Sequence, residues 1–535
     1  MRMACVAVVT SLPTVAYGQM VSPTQSDAAV VARGAIRFRG QLAWTRFDAI
    51  YGANGTRAFP LGNLLTTDLD VAALPLLAPA RNAAATLTGS PTVALSLGRL
   101  RTSADSRIVS VPLSIEYGLT RRITIGATIP IVQSRTVVTT QLNGRADSSA
   151  NFGTNPAGYH FSPTAYAANA GVASGLDNAR DQLAQRIAVC SSAPFSVGCP
   201  AFNARSAEAN ALVAAATGFS GAVGTLYGIS TDAPGAPFVP LANSTVQADI
   251  NTRLASIRTQ FTSFGINGGS GSLAAAQGVA ANSQFQQIVS DVSYGIALDS
   301  IGSTEQTSVG DIELSVTSLL FNSFADAPTR WLQWRGTAAG VVRVGTGHPA
   351  RANRPFDVPT GDGQTDLEIR GAVDMMVGRR LLTTVAATYT VQTGSVVTGR
   401  LAYPPGFIFG LDYPVSGSTK LGNMAAVRLN PRFLITPALM VGGLATVSHR
   451  AADMVTVTGL AASGETFGNP NALTVYSGGF TIAYSNLAST SGTGSARFPA
   501  EIHFSHLETL RASSAGAEKA FRDAIELRLY FRSRR

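Results

Sequence analysis

Lysine is almost absent from this 535-residue chain, since Lys420 and Lys519 are the only two, and charged residues make up just 13% of it. An ordinary soluble domain carries about twice that fraction, roughly 25%. The sequence also lacks any run that approaches the ~20 consecutive apolar residues of a membrane-spanning helix. Together these scarcities argue against a typical cytosolic protein and against a bundle of membrane helices.

Positive charge is in excess, with a formal net charge of +9 that arginine supplies almost alone. The arginines are scattered singly, and no zinc-finger, KH or RRM motif accompanies them, so we expect no nucleic-acid partner. The excess instead suits an anion-attracting channel or a surface that contacts acidic lipid headgroups.

The first 18 residues have the three parts of a secretory signal peptide. Arg2 gives the positive start, an apolar stretch of about a dozen residues follows, and Ala16 and Gly18 form a small-residue cleavage site. We therefore expect residues 1–18 to be removed and the chain to be exported. A buried amino-terminal strand or helix is the alternative.

Export would remove Cys5 and leave Cys190 and Cys199, which are separated by eight residues. A pair this close in an exported chain predicts a disulfide, worth on the order of 2 to 3 kcal/mol. A zinc site is the alternative, but two sulfurs with no neighbouring histidine fall short of four ligands. We expect no metal and no cofactor.

Apolar and polar residues alternate along much of the chain. Residues 109–117 carry valine, leucine, isoleucine or tyrosine at every second position, and the alternation resumes at Ile123 after a short turn. Such alternation predicts β-strands with one apolar face. The sequence as a whole predicts twelve strands, at about residues 34–48, 106–118, 122–142, 309–321, 331–345, 364–378, 380–395, 419–435, 437–451, 473–486, 496–511 and 518–532.

The predicted strands have the length and the spacing of a transmembrane barrel. Most have 13 to 17 residues, more than the ~9 to 11 that a tilted bilayer crossing needs. The connections after strands two, six and eight are very short, whereas those after strands three, seven and nine run to about 160, 23 and 21 residues. An even strand count with alternating short and long connections predicts an antiparallel twelve-stranded barrel in a bacterial outer membrane.

The last predicted strand supports the same compartment. Its apolar residues occupy one face, apart from Asp523, and alternate up to Phe531. This resembles the carboxy-terminal signal that outer-membrane barrels present to the barrel-assembly machinery, although four more residues follow Phe531 here. A soluble sandwich or barrel is the alternative, but it would have shorter strands and would less naturally carry so long an insertion.

Three phrases carry a resemblance to a known family. Residues 111–126 read VPLSIEYGLTRRITIG, residues 309–314 read VGDIEL and residues 361–366 read GDGQTD. They resemble the strand and turn motifs of the outer-membrane transporter family labelled "MetA-pathway of phenol degradation", over residues 106–142 and roughly 309–532. The resemblance implies a channel for small, often hydrophobic or aromatic, solutes in the outer membrane of a Gram-negative bacterium, and it brings no catalytic residues.

The polar faces of the predicted strands collect the charged residues of the barrel. Charge on the lipid face costs ~2 to 4 kcal/mol at the midplane for Arg or Lys, so these residues should face the lumen. There they either brace the barrel as ion pairs or border the solute path. The candidates are Arg37, Arg39, Glu116, Asp311, Glu313, Arg335, Arg343, Asp366, Glu368, Arg370, Asp374, Arg428, Arg497, Glu501, His503, Glu526 and Arg528.

The segment 143–305 separates the first barrel strands, in residues 19–142, from the remaining strands, in residues 306–535. It is rich in alanine, serine, glycine and asparagine and has helical stretches, with apolar residues on one face over residues 177–189 and 246–261 and an alanine-rich stretch at 206–217. We expect a partly helical extracellular cap or plug that constricts the pore. A mobile surface loop is the alternative.

Signals for catalysis are weak, since the sequence has no His-Glu-x-x-His, Gly-x-Ser-x-Gly or phosphate-loop motif. We expect no enzyme but a channel that passes a small solute by passive diffusion. One alternative is a non-conducting surface anchor whose insertion binds a partner, and another is a hydrolase in the barrel around His503 and Glu501. The expected partners are outer-membrane lipid, the assembly machinery during biogenesis and a small-molecule solute.

Overall fold

The structure is a computed structural model, and it describes most of the chain after residue 26. The predicted signal peptide and Arg497 lie outside the described residues. The described ranges are 27–52, 55–144, 149–158, 162–292, 296–326, 330–351, 353–401, 411–457, 472–487, 499–514 and 516–532.

Twelve long strands form the wall of a closed antiparallel barrel, which confirms the predicted fold. Each strand pairs with its neighbour in sequence, and β1 closes the barrel by pairing with both β2 and β12, as in Ile36 opposite Tyr117 and Phe531. The strands are β1 (Ala35–Phe47), β2 (Ser96–Gly118), β3 (Ile123–Leu142), β4 (Ile312–Asn322), β5 (Leu332–Val344), β6 (Asp366–Val377), β7 (Leu381–Gln392), β8 (Met424–Leu434), β9 (Leu439–Arg450), β10 (Leu473–Ser485), β11 (Ala500–Ala512) and β12 (Phe521–Arg532).

Strand β2 begins ten residues earlier than the pattern predicted, because its apolar face changes sides. From Val109 to Tyr117 the apolar residues point outward, whereas before Val109 the outward positions are mostly charged or polar. The inward side chains of Leu100 and Ile108 are buried in a hydrophobic core at one end of the barrel. Apolar and polar residues therefore still alternate before Val109, but there the apolar residues face inward. A prediction that requires one continuous outward apolar face therefore starts the strand too late.

The predicted fourth strand is interrupted. A short strand, Thr304–Val309, pairs with residues 131–136 of β3, and β4 pairs with residues 123–128 of β3. Between them lies Pro130 of β3, which has no N–H to continue the ladder. The amide of Gly310 donates to the Pro130 carbonyl at 2.8 Å.

The two ends of the barrel differ, as the alternation of connections predicted. The start of β1, the end of β12 and the short connections, such as residues 119–122 and 378–380, lie at one end, which we call the turn end. The long connections lie at the opposite end, which we call the loop end. Among them, a three-stranded sheet of Ser395–Leu401, Leu411–Lys420 and Met454–Val457 extends beyond the wall.

A helical cap covers the loop end. Its hydrophobic core also includes inward side chains of the wall at the loop end, such as Val132 and Leu142 of β3. Its helices are α1 (Ala78–Thr88), α2 (Pro163–Ser192), α3 (Cys199–Asn203), α4 (Ser206–Tyr227), α5 (Thr245–Ser263) and α6 (Asn282–Ser290). The insertion is thus a packed helical unit, and the first long connection, through α1, also belongs to it, which the sequence did not predict.

The cap helices begin where their sequences favour it. The Ser162 hydroxyl accepts from the Ala165 amide at the start of α2, and Ser244 does the same for Gln247 in α5. By length and composition α4 is apolar enough to cross a membrane, contrary to the expectation from sequence. Its Leu212 and Phe219 are instead buried in the cap core.

Other short elements complete the described chain. Cys190 and Cys199 form a disulfide between α2 and α3, as predicted. The remaining elements are 3-10 helices Leu61–Leu65 and Pro75–Leu77, strands Ala49–Tyr51, Ala58–Pro60, Thr67–Asp70, Phe152–Thr154 and Phe238–Pro240, and helix α7 (Ser323–Asp326) at the turn end.

Candidate functional site: the barrel lumen

An apolar belt surrounds the outside of the barrel. On β1 it runs from Ile36 to Trp44 and on β2 from Val109 to Tyr117, nine residues in each case. That length matches the ~9 to 11 residues of a tilted bilayer crossing. Large outward side chains remain exposed there, for example 38% of Ile36, whereas the next side chain, Arg37, is 5% exposed and points inward.

The first ionic cluster of the lumen lies on three adjacent strands and is called here the β4–β6 cluster. Glu313, Arg343 and Asp366 are directly paired positions on β4, β5 and β6. Arg343 lies 3.0 Å from Glu313, 3.0 Å from Glu368 and 3.2 Å from Asp366. Arg370 lies 2.9 Å from Glu313 and also contacts Glu368. All five residues are buried.

The second ionic cluster lies across the closure of the barrel and is called here the β12–β1 cluster. Glu116 of β2 contacts Arg37 and lies 3.4 Å from Arg39, which in turn lies 3.2 Å from Glu526 of β12. Arg528 contacts Glu526. The cluster thus ties β2, β1 and β12 together at the point where the first and last strands meet.

Glu501 of β11 extends the β12–β1 cluster. Its carboxylate lies 3.4 Å from Arg528 and accepts from the Tyr530 hydroxyl at 2.7 Å. His503 Nε2 lies 4.0 Å from the same carboxylate. In the described part of the chain, this histidine nitrogen has no hydrogen-bond partner.

The chain before β1 lies inside the barrel, a feature that the sequence did not predict. Residues 27–34, which we call the amino-terminal segment, enter the lumen at the turn end. Asp27 forms an ion pair with Arg528 of β12. The Ala28 amide donates to Asp374 at 3.0 Å, and the Val31 amide donates to the Thr124 hydroxyl at 2.9 Å.

Asp374 links the amino-terminal segment to the opposite wall. Besides the Ala28 amide, it contacts Arg335 at 2.8 Å and accepts from the Thr384 hydroxyl at 2.6 Å. Ala28 is fully buried against Ala372 and Ala386. The segment therefore spans the lumen between the β12–β1 cluster and strands β6 and β7.

Two other predicted lumen residues have different surroundings. Asp311 lies at the break between Thr304–Val309 and β4 and accepts from the Gly347 amide at 2.9 Å, so it anchors the connection after β5. Arg428 of β8 is half-buried. Within the described ranges, no group of three or more His, Cys, Asp or Glu side chains is arranged to hold a metal ion.

The loop end of the lumen is covered as well. The connection at residues 345–365 folds over the wall, where its Val358 carbonyl accepts from Ser134 of β3 at 2.9 Å. The hydroxyl of Thr360 lies 2.6 Å from that of Ser308. Val358 and Thr360 are 3% and 1% exposed, so this connection is part of the cover together with the helical cap.

The closed wall, the outward apolar belt and the ion-paired interior define a transmembrane β-barrel of the bacterial outer-membrane type. No family model and no curated protein matches the chain. Solved structures with a similar course include an outer membrane channel from Pseudomonas putida F1, with 9% identity over 96% of this chain and 100% of that one and a TM-score of 0.41. The toluene transporter TbuX of Ralstonia pickettii has 8% identity over 95% and 92%, with a TM-score of 0.25.

A FadL homologue from Pseudomonas aeruginosa also has 8% identity, over 93% of this chain and 90% of that one, with a TM-score of 0.24. The fold rests on the strand register above.

Proposed function

We propose that this protein is an outer-membrane channel that passes a small solute by passive diffusion, and that its amino-terminal segment closes the lumen at the turn end. The observation that carries the proposal is the position of Asp27 inside a complete barrel wall. A chain segment that fills the lumen without belonging to the wall can move while the wall stays intact.

The contacts of the amino-terminal segment support its release. When Asp27 leaves, Arg528 keeps its contacts with Glu526 and Glu501. When the Ala28 amide leaves, Asp374 keeps Arg335 and Thr384. A buried charge is costly mainly when it loses all its partners. The wall therefore tolerates an empty lumen without an orphaned charge at either anchor.

The charge balance of the two clusters favours a solute without strong net charge. The β4–β6 cluster has two arginines and three carboxylates, and the β12–β1 cluster with Glu501 and Asp27 has three arginines and four carboxylates. Each cluster thus carries about one net negative charge by this count. Together with the family resemblance, this leads us to propose a small hydrophobic or aromatic solute and to place both clusters along its path.

Single-channel conductance in a planar bilayer tests the proposal. The chain without its signal peptide should conduct in small steps, and a variant that also lacks residues 19–31 should conduct in larger steps. Heat-modifiable migration in gels verifies that both forms are folded barrels. If neither folded form conducts, the proposal that the protein is a channel is wrong.

A sealed surface anchor is the second candidate function. The paired charges of both clusters favour it, because bracing ion pairs can close a narrow barrel by themselves. An anchor predicts no conductance in either form and a partner for the cap. The same bilayer measurement therefore separates the two candidates.

A further inference from the structure

Three arginines form a row on the outside of the barrel, on adjacent strands. Arg107 of β2 is the directly paired position of both Arg46 on β1 and Arg135 on β3. All three side chains point outward and are exposed. We call Arg46, Arg107 and Arg135 the arginine row.

The arginine row lies immediately beyond the apolar belt, on the side of the loop end. Two residues closer to the turn end, the outward positions are Trp44 on β1 and Val109 on β2. Tryptophan is enriched at the level of lipid headgroups, where its ring meets both acyl chains and water. The row is therefore at the height of the headgroups of the leaflet that surrounds the loop end.

Neighbouring carboxylates neutralise only part of the positive charge of the arginine row. Arg46 has Asp105 at 2.7 Å, and Arg135 has only a long contact of 3.9 Å with Glu305. In the part of the chain that the structure describes, Arg107 makes no hydrogen bond or ion pair with another side chain. Like charges at directly opposed positions destabilise a sheet. An external anion at Arg107 would remove that repulsion.

We propose that the arginine row binds the phosphate groups of a phosphorylated glycolipid in the outer leaflet. Guanidinium groups bind phosphate through paired, charge-assisted hydrogen bonds. The apolar belt begins directly beside the arginine row, on the side of the turn end. The acyl chains of a lipid can therefore lie on Trp44 and Val109 while its phosphates reach Arg107. The inference rests on the outer-membrane location in the proposed function and on the extracellular position that the sequence predicts for the cap, not on conductance.

Binding of lipid A tests the proposal. The folded protein in phosphatidylcholine nanodiscs is titrated with lipid A that carries its phosphates and with the same lipid A after their removal. The test variant combines Arg46→Gln, Arg107→Gln and Arg135→Gln. The control variant removes the same charge from exposed arginines elsewhere, by Arg81→Gln, Arg253→Gln and Arg330→Gln.

We expect the unchanged protein and the control variant to prefer phosphorylated lipid A by about tenfold or more, as charge-assisted hydrogen bonds imply. The test variant should lose this preference, and Arg107→Gln alone should lose most of it. Equal binding of both lipids by the unchanged protein, or a preference that survives in the test variant, would overturn the proposal. Conductance of the test variant should equal that of the unchanged protein, so this outcome is separate from the channel proposal.

Discussion

Asp27 and Arg528 form an ion pair inside the barrel although 501 positions separate them in sequence. Asp27 belongs to the amino-terminal segment and Arg528 to the last wall strand. The pair therefore joins the segment that lies inside the barrel to the strand that closes the wall.

Replacing Asp27 by Asn should loosen the amino-terminal segment. The substitution removes the ion pair with Arg528, which keeps Glu526 and Glu501 as partners. We expect more frequent or larger conductance steps and a change of less than about 1 kcal/mol in barrel stability, as for an ion pair whose remaining charge stays compensated. Bilayer recordings and urea unfolding measure the two effects.

Asp232→Asn is the control for that substitution, because it removes the same charge from an exposed residue of the cap. It should leave conductance unchanged. Identical recordings from both variants would contradict the role of Asp27 in closing the lumen.

Replacing Arg343 by Met should destabilise the barrel. Glu313 and Glu368 would then keep Arg370, whereas Asp366 would lose its ion pair with Arg343 while it remains buried. Loss of one partner from a buried ion pair costs about 3 to 5 kcal/mol. The free energy of unfolding in urea, followed by tryptophan fluorescence, measures this loss.

A second substitution separates lost charge balance from lost packing. Asp366→Asn in the same chain removes one of the three carboxylates and should restore part of the stability. If the double variant is as unstable as Arg343→Met, bracing by charge compensation in the β4–β6 cluster is wrong.

Replacing both Cys190 and Cys199 by Ala should destabilise the cap and not the barrel. The disulfide joins positions nine apart, so its loss costs on the order of 2 to 3 kcal/mol. Proteolysis of the cap should begin at lower urea, whereas heat-modifiable migration of the barrel should not change. Equal loss of stability in both parts would show that cap and barrel unfold together.

The wall could be predicted from the sequence because alternation is local. Residues 109–117 carry their apolar face at every second position whatever strand lies beside them, and observed strand ends mostly lie within a few residues of the predicted ones. The early start of β2 at Ser96 escaped prediction since its core-facing residues, Leu100 and Ile108, meet the cap and not lipid.

The lumen residues were predictable, but their partners were not. Polar positions on the strands identify Arg343 and Glu116 as inward residues, yet register decides that Arg343 meets Glu313. The amino-terminal segment gave no signal at all. Asp27 lies among small residues without alternation, and its partners are distant in the chain.

A covalent lock on the amino-terminal segment tests the central claim most directly. Ala28 and Ala372 pack in one buried cluster, so Ala28→Cys with Ala372→Cys can hold the segment against β6. Conductance of the oxidised double variant is compared with conductance after reduction, and the chain without introduced cysteines controls for reduction of the Cys190–Cys199 disulfide. The account predicts no conductance while the lock is closed and normal conductance after reduction. Equal conductance in both states would contradict it.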